Sequence, residues 1–148
     1  MDIDRSYIER NSSSLRRLHT VVGRLHDDDF DRDAGGGWTI GAVLAHVAFW
    51  DRYVTTRLSR WEKQGFKNTP LDPDSINDAA LPGWRAIPGR IAVSEALAAA
   101  QECDARTAEV AEVLAAAILA AGRLRVLDRS IHRGEHIDQI ERALSYAR

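Results

Sequence analysis

Apolar residues recur at steps of three and four along four segments of the chain, which is the spacing of an α-helix with one buried face. The first segment runs from about Asp4 to His26. Its apolar positions are Ile8, Leu15, Leu18, Val22 and Leu25. The pattern ends in HDDDFDRDAGGG, residues 26–37. This stretch is predicted to be a solvated loop, because it lacks the alternating oxygen ligands and terminal Glu of a calcium loop.

A second helix is predicted from Trp38 or Thr39 to about Glu62, with Thr39 as its N-cap. The residues on one face of this helix are Val43, Val47, Trp50, Val54, Leu58 and Trp61. A helix of ~24 residues is roughly 36 Å long, a length that suits a helical bundle.

Residues 65–92 contain all four prolines and are predicted to be a long crossover loop. A crossover of this length allows the helices on either side to run parallel. Trp84 lies within it, either as an apolar plug over the bundle end or as a substrate contact. Both interpretations stay open at this point.

A third helix is predicted from Ser94 to Ala121, followed by Gly122 as a stop signal, and a fourth from about Leu124 to Tyr146. The third is rich in alanine, which has the highest helix propensity. No segment shows the alternation of a β-strand. The expected fold is therefore all-α, a four-helix bundle with a long crossover between helices 2 and 3, in a single domain over residues 1–148.

Composition narrows the class of protein. The formal net charge of −2 does not favour a nucleic-acid partner. The single cysteine, Cys103, excludes an internal disulfide framework and fits a reducing compartment; we interpret it as a small buried residue. The charged N-terminus lacks the apolar region of a secretory signal, and no apolar run approaches the ~20 residues of a membrane span. A soluble, cytoplasmic protein without membrane contact is expected.

Two histidines of the fourth helix, His132 and His136, lie four residues apart and therefore ~40° apart on the helical wheel. Unpaired imidazoles in a half-buried site are costly, and a divalent cation offers both a partner. The pair alone also fits hydrogen-bonded or exposed histidines. A third candidate ligand, His46, lies at the margin of the apolar face of the second helix. His19 and His26 are expected to face solvent.

The segment HRGEH, residues 132–136, also matches the H-x-x-E-H pattern of inverzincin peptidases. Those enzymes need a further carboxylate ligand well downstream, in a much larger domain. Few residues follow His136, and Glu135 is assigned to the side of the wheel away from the histidines. A peptidase is therefore not the preferred interpretation.

Two stretches carry a family resemblance: GGWTIGAVLAHVAFWDR at 36–52 and IHRGEHIDQIERAL at 131–144. Together with LDPDSINDAAL and VSEALAAAQ in the middle of the chain, they resemble the DinB-like metal-binding four-helix bundles. The resemblance implies a metal site at His46, His132 and His136 for zinc or nickel, with iron and manganese as alternatives. It also implies a homodimer. Relatives in that family include transferases and isomerases that use thiols such as mycothiol or bacillithiol, among them a mycothiol-dependent maleylpyruvate isomerase.

Three functions follow as hypotheses. The first is a transferase that uses a low-molecular-weight thiol and a small-molecule substrate, with Trp50 and Tyr53 in the pocket wall. The second is a metal-dependent hydrolase with Asp128 as general base, or Asp51 in its place. The third is a non-catalytic metal-binding or stress protein, which would have a closed cavity over the histidines.

Overall fold

The structure, a computed structural model, describes residues 2–146, and this part of the chain folds into seven α-helices and one short 3-10 turn. The helices are α1 (Tyr7–Gly23), α2 (Ile40–Gln64), α3 (Pro73–Arg85), α4 (Gly89–Glu109), α5 (Glu112–Ala120), α6 (Leu124–Leu127) and α7 (Ser130–Ser145). The 3-10 turn spans Asp27–Asp29.

Four helices form the bundle. Helix α1 packs against α4 and α7, and α2 packs against the same two helices, so the four close into a ring. The all-α bundle expected from the sequence is confirmed. The cap at the start of α2 is also as predicted, because the Thr39 hydroxyl accepts a hydrogen bond from the Ala42 amide at 3.1 Å.

The crossover is not a plain loop, because its central part forms helix α3, which packs on α2. Two of the four prolines lie at helix starts, where a helix tolerates them, although Pro82 lies inside α3. Pro73 is the first residue of α3, where no amide donor is needed, and Asp72 caps that end by accepting from Ser75 at 3.1 Å. Pro88 is the N-cap of α4, which therefore begins at Gly89 and not at the predicted Ser94.

The predicted third helix is two helices, because Val110 and Ala111 are extended between α4 and α5. No glycine or proline marks this break. The guanidinium of Arg5 donates to the Val110 carbonyl oxygen at 2.9 Å, and the Tyr7 hydroxyl donates to that of Thr107 at 3.4 Å. These donors satisfy two carbonyl groups at the end of α4, where intrahelical partners run out.

The predicted fourth helix is also interrupted, at Asp128, which has a non-helical φ of −89° and ψ of 88°. Its carboxylate accepts hydrogen bonds from the amide and the hydroxyl of Ser130, at the start of α7. Asp128 thus ends the short α6 and orients the helix that carries two of the histidines.

The bundle interior holds two apolar clusters and a buried group of charges. Arg133 is 0% exposed and donates to both Asp51 and Asp104. Arg129, 5% exposed, donates to the other oxygen of Asp51. Within residues 2–146, no helix combines the length and the apolar character needed to cross a lipid bilayer.

Candidate metal centre

The bundle brings His46 of α2 together with His132 and His136 of α7. The Nε2 atom of His46 lies 3.0 Å from the Nε2 atom of His132 and 3.0 Å from that of His136. One ligand atom from each ring lies within 4.8 Å of the other two. The three sequence candidates therefore converge on one point, although His132 and His136 are 86 and 90 residues from His46 along the chain.

The donor set fits a divalent cation better than it fits protons. A neutral imidazole has one N–H and one lone pair, so His46 Nε2 can donate one proton at most. Such a proton makes one good hydrogen bond, to His132 or to His136, and leaves the other contact poor. A cation among the three atoms accepts a lone pair from each ring, and three nitrogens leave further coordination positions for a ligand.

A hydrogen-bonded chain fixes the orientation of His136. Its Nδ1 atom lies 2.9 Å from the Oε1 atom of Gln139, and the Gln139 amide donates to the Ala34 carbonyl oxygen at 2.9 Å. Since Oε1 can only accept, Nδ1 of His136 carries the proton and its Nε2 lone pair points at the centre. The 26–37 loop therefore helps to orient His136, because its Ala34 carbonyl oxygen holds Gln139 in place.

The ring of His46 is held by aromatic packing. Its centroid lies 5.0 Å from that of Trp38 and 5.2 Å from that of Trp84, both nearly perpendicular to it. Its Nδ1 atom is buried and has no hydrogen-bond partner among residues 2–146. The tryptophans therefore set the direction of the imidazole without fixing its tautomer through a hydrogen bond.

All three histidines are held neutral. Burial, and then the neighbouring His136, lowers the pKa of His46 to about 3. Burial, and then the charge of Arg129, lowers the pKa of His132 well below 6.5. Burial also lowers the pKa of His136, although Gln139 opposes the shift. Neutral imidazoles are the form that binds metals, so at pH 7 protons compete little for these nitrogens.

The three nitrogens open onto a cavity of about 660 Å³. Trp50 and Tyr53 lie in its wall, as the sequence analysis expected, and so does Trp38. The Trp50 indole donates to Asn77 of α3 at 2.8 Å, which ties the crossover helix to the cavity. Trp84 is 6% exposed and packs against His46; it does not line this cavity but lines a second one of about 650 Å³. Both interpretations of Trp84, apolar plug and substrate contact, stay predictions.

The carboxylates are arranged differently from the sequence interpretation. Asp128 does not line the cavity, and it accepts from Arg10 at 2.8 Å and from Ser130. Asp51 is held by two buried arginines. Glu135, which was assigned to the far side of the helix, does line the cavity. That assignment was wrong because Glu135 is three residues after His132, a spacing that shares a helix face.

Sequence reasoning missed the residues that surround the histidines. Gln139 follows His136 by three residues, and Arg129 precedes His132 by three, so helical spacing could have found both. Arg57 follows His46 by eleven residues, about three turns, and faces the same cavity. Asn77 and Arg123 depend on where the crossover and α6 pack, which the local sequence does not show.

A family model described as the DinB superfamily matches residues 11–139, a range that contains all three histidines. Neither the curated proteins nor the solved structures include a significant match to the chain.

Proposed function

The chain belongs to the DinB superfamily, and we propose that it is a divalent-metal-dependent transferase that joins a low-molecular-weight thiol to an electrophilic small molecule. The observation that carries this proposal is that the three-nitrogen cluster opens onto a cavity of about 660 Å³. A purely structural metal site has a closed shell of protein ligands, whereas an open one admits a ligand from solution. Cavities of this size hold small molecules.

The thiol has to come from outside the protein. The chain has one cysteine, Cys103, which is 0% exposed and lies in the apolar cluster with Tyr7 and Trp61. Burial, and then the nearby Asp51 carboxylate, raises the pKa of the Cys103 thiol to about 12. A buried, protonated thiol away from the cavity is not a nucleophile.

The three neutral imidazoles hold a cation without cancelling its charge. A zinc or nickel ion there, or iron or manganese, would supply a positive charge that lowers the pKa of a thiol or water in the open position. In the transfer, a sulfur–carbon bond forms, the leaving group departs with the bonding electron pair, and the thiol proton goes to solvent. Trp38, Trp50 and Tyr53 provide an apolar wall for the electrophile.

The test begins with elemental analysis of the purified protein and of His46→Ala, His132→Ala and His136→Ala variants. The metal-loaded protein is then incubated with mycothiol, bacillithiol or glutathione and an arylating electrophile. We expect conjugates to form faster than without protein, and the acceleration to be lost in the three variants. The proposal is overturned if no thiol gives a conjugate at full metal occupancy.

One observation favours a hydrolase as the second candidate. Glu135 is a carboxylate in the cavity wall, where a general base for a metal-activated water would have to lie. One of its two oxygens, Oε1, accepts a hydrogen bond from Arg125 at 2.6 Å. A hydrolase would cleave activated esters or amides without added thiol and would lose that activity in Glu135→Gln, whereas the transferase would still form conjugates.

A further inference from the structure

Four arginines line the cavity that contains the histidines: Arg57, Arg123, Arg125 and Arg129. Two of them are neutralised by protein carboxylates. Arg125 donates to Glu135 at 2.6 Å, and Arg129 donates to Asp51 at 2.9 Å. The remaining pair, Arg57 and Arg123, forms no ion pair within residues 2–146.

The N–H donors of the Arg57 guanidinium form no hydrogen bond within residues 2–146. Its guanidinium carbon lies 4.5 Å from the ring centroid of Trp61 and 5.6 Å from that of Tyr53. These aromatic faces fix the plane of the guanidinium, but they accept none of its five N–H donors in the plane. No other residue between 2 and 146 forms a hydrogen bond with it.

Arg123 is fixed by neutral groups. It donates to the Asn68 side-chain oxygen at 2.7 Å and to the Thr69 carbonyl oxygen at 3.3 Å. Its charge is close enough to Arg57 to lower the pKa of Arg57, after burial, which is the larger cause. Two cations that repel each other in a cavity, each held in place by uncharged partners, lower their free energy when an anion binds to both.

The acidic residues of the cavity do not replace that anion. Glu135 is engaged with Arg125. Asp74 lies in the first turn of α3, is exposed, and forms no ion pair in the described part of the chain. Solvent therefore screens its charge.

We propose that Arg57 and Arg123 form a subsite for a carboxylate group of the small molecule that occupies the cavity. The proposal rests on the proposed function, because the same molecule presents its sulfur or its electrophilic carbon to the three-histidine centre. A guanidinium pair binds a carboxylate through directed N–H donors, which selects acids over alcohols of the same length. The carboxylate can belong to the thiol or to the electrophile.

The test uses cobalt-loaded protein and matched thiols. Mercaptopropionate is compared with mercaptopropanol, and each with its homologue that has one more methylene, through the sulfur-to-cobalt absorption band. We expect the acid to bind about tenfold more tightly than the alcohol. This preference should fall to about onefold in Arg57→Gln and in Arg123→Gln. It should persist in Arg60→Gln, a matched change at an exposed position of the same helix. In the transfer reaction, the carboxylate is then removed first from the thiol and afterwards from the electrophile. The substrate whose affinity falls on this removal is the one that carries the bound group.

Two outcomes overturn the subsite. If the acid preference is unchanged in both variants, attraction to the metal alone explains it. The arginine side-chain Nε–H signals of zinc-loaded protein, assigned from the two variants, are also followed during titration with butyrate, which has no thiol. Saturable shifts of the Arg57 and Arg123 signals support the subsite even where no thiol binds the metal. Failure of every thiol to bind the metal removes only the proposed function. Absence of these shifts removes the subsite.

Discussion

Arg129 donates from Nε to the Oδ1 atom of Asp51 at 2.9 Å, and both side chains are almost fully buried. The second oxygen of Asp51 accepts from Arg133, which is 0% exposed. One carboxylate of α2 thus bridges two guanidinium groups of the last helical segment, and Asp104 of α4 supplies the second negative charge. Since His132 and His136 flank Arg133 in sequence, the same ion pairs fix the face that α7 presents to His46.

We expect Asp51→Asn to be strongly destabilising. The change leaves two buried cations, of which Asp104 can compensate only one, so the free energy of unfolding should fall by about 3–5 kcal/mol. Urea unfolding of the metal-free protein measures it. Glu9→Gln, which breaks an exposed ion pair with Arg16 at 3.3 Å, is the control and should cost less than about 1 kcal/mol. Equal effects of the two changes would show that burial of the Asp51 cluster has no energetic weight.

Gln139 is expected to control metal affinity although it does not reach the centre. Its Oε1 atom holds the proton of His136 on Nδ1, which leaves the Nε2 lone pair free for the cation. Gln139→Ala should weaken zinc binding about 10–100-fold in a chelator competition. Gln101→Ala, at an exposed position of α4, should leave the affinity unchanged. An unchanged affinity for Gln139→Ala would mean that the helix alone orients His136.

Helical spacing was sufficient to predict what depends on one element. It placed His132 and His136 on one face, identified the Thr39 cap, and put Trp50 on the apolar face of the second helix. The helix break at Val110 could not be predicted in this way, because the donor that stabilises it is Arg5, 105 residues away.

The roles of the charged residues depended equally on tertiary contacts. Asp128 shares a helix face with His132 in the sequence pattern, yet it accepts hydrogen bonds from Arg10 of α1 and from the Ser130 amide at the start of α7. Arg57 lies on α2 about three turns after His46, and local sequence does not show that it faces the same cavity. Only the packing of α6 brings Arg123 to the same cavity. The expected homodimer stays a prediction, which sedimentation velocity can test.

The metal-free protein should lose stability on acidification below pH 6.5. The pKa values of His46, His132 and His136 lie below the value of 6.5 that an unfolded chain has, so the unfolded state binds more protons in this range. Their stabilising contribution is complete above pH 6.5 and decreases as the pH falls toward the folded pKa values. Each histidine contributes a slope of up to about 1.4 kcal/mol per pH unit.

Denaturant midpoints of parent and His46→Gln between pH 6.5 and pH 5 measure this slope. The variant should show a shallower decline, because its residue 46 no longer titrates in the unfolded state. His19→Gln, at an exposed position of α1, is the control and should reproduce the parent profile. Parallel profiles for parent and His46→Gln would contradict the lowered pKa of His46.

Gly89 and Gly134 are expected to respond to alanine with opposite signs. A Cβ atom at Gly89 would lie 2.1 Å from the Phe30 ring carbon Cγ, so Gly89→Ala has to displace a ring that is 6% exposed in the core. Overpacking of this kind costs about 1–3 kcal/mol. Phe30 lies in the 26–37 loop, whose Ala34 anchors Gln139, and the Phe30 carbonyl oxygen accepts from the Gly41 amide at 3.0 Å, at the start of α2. A displaced Phe30 should therefore weaken zinc binding as well as stability.

At Gly134, in the middle of α7, a Cβ atom would have no neighbour within 4 Å. Alanine there removes the entropic penalty of a helical glycine and should stabilise the protein by about 0.5–1 kcal/mol. Thermal unfolding and zinc competition of the two variants make a matched pair, since each adds one methyl group. A destabilised Gly134→Ala would indicate that α7 needs a flexible residue between its two histidines, and a neutral Gly89→Ala would indicate that the core around Phe30 has room that the packing does not show.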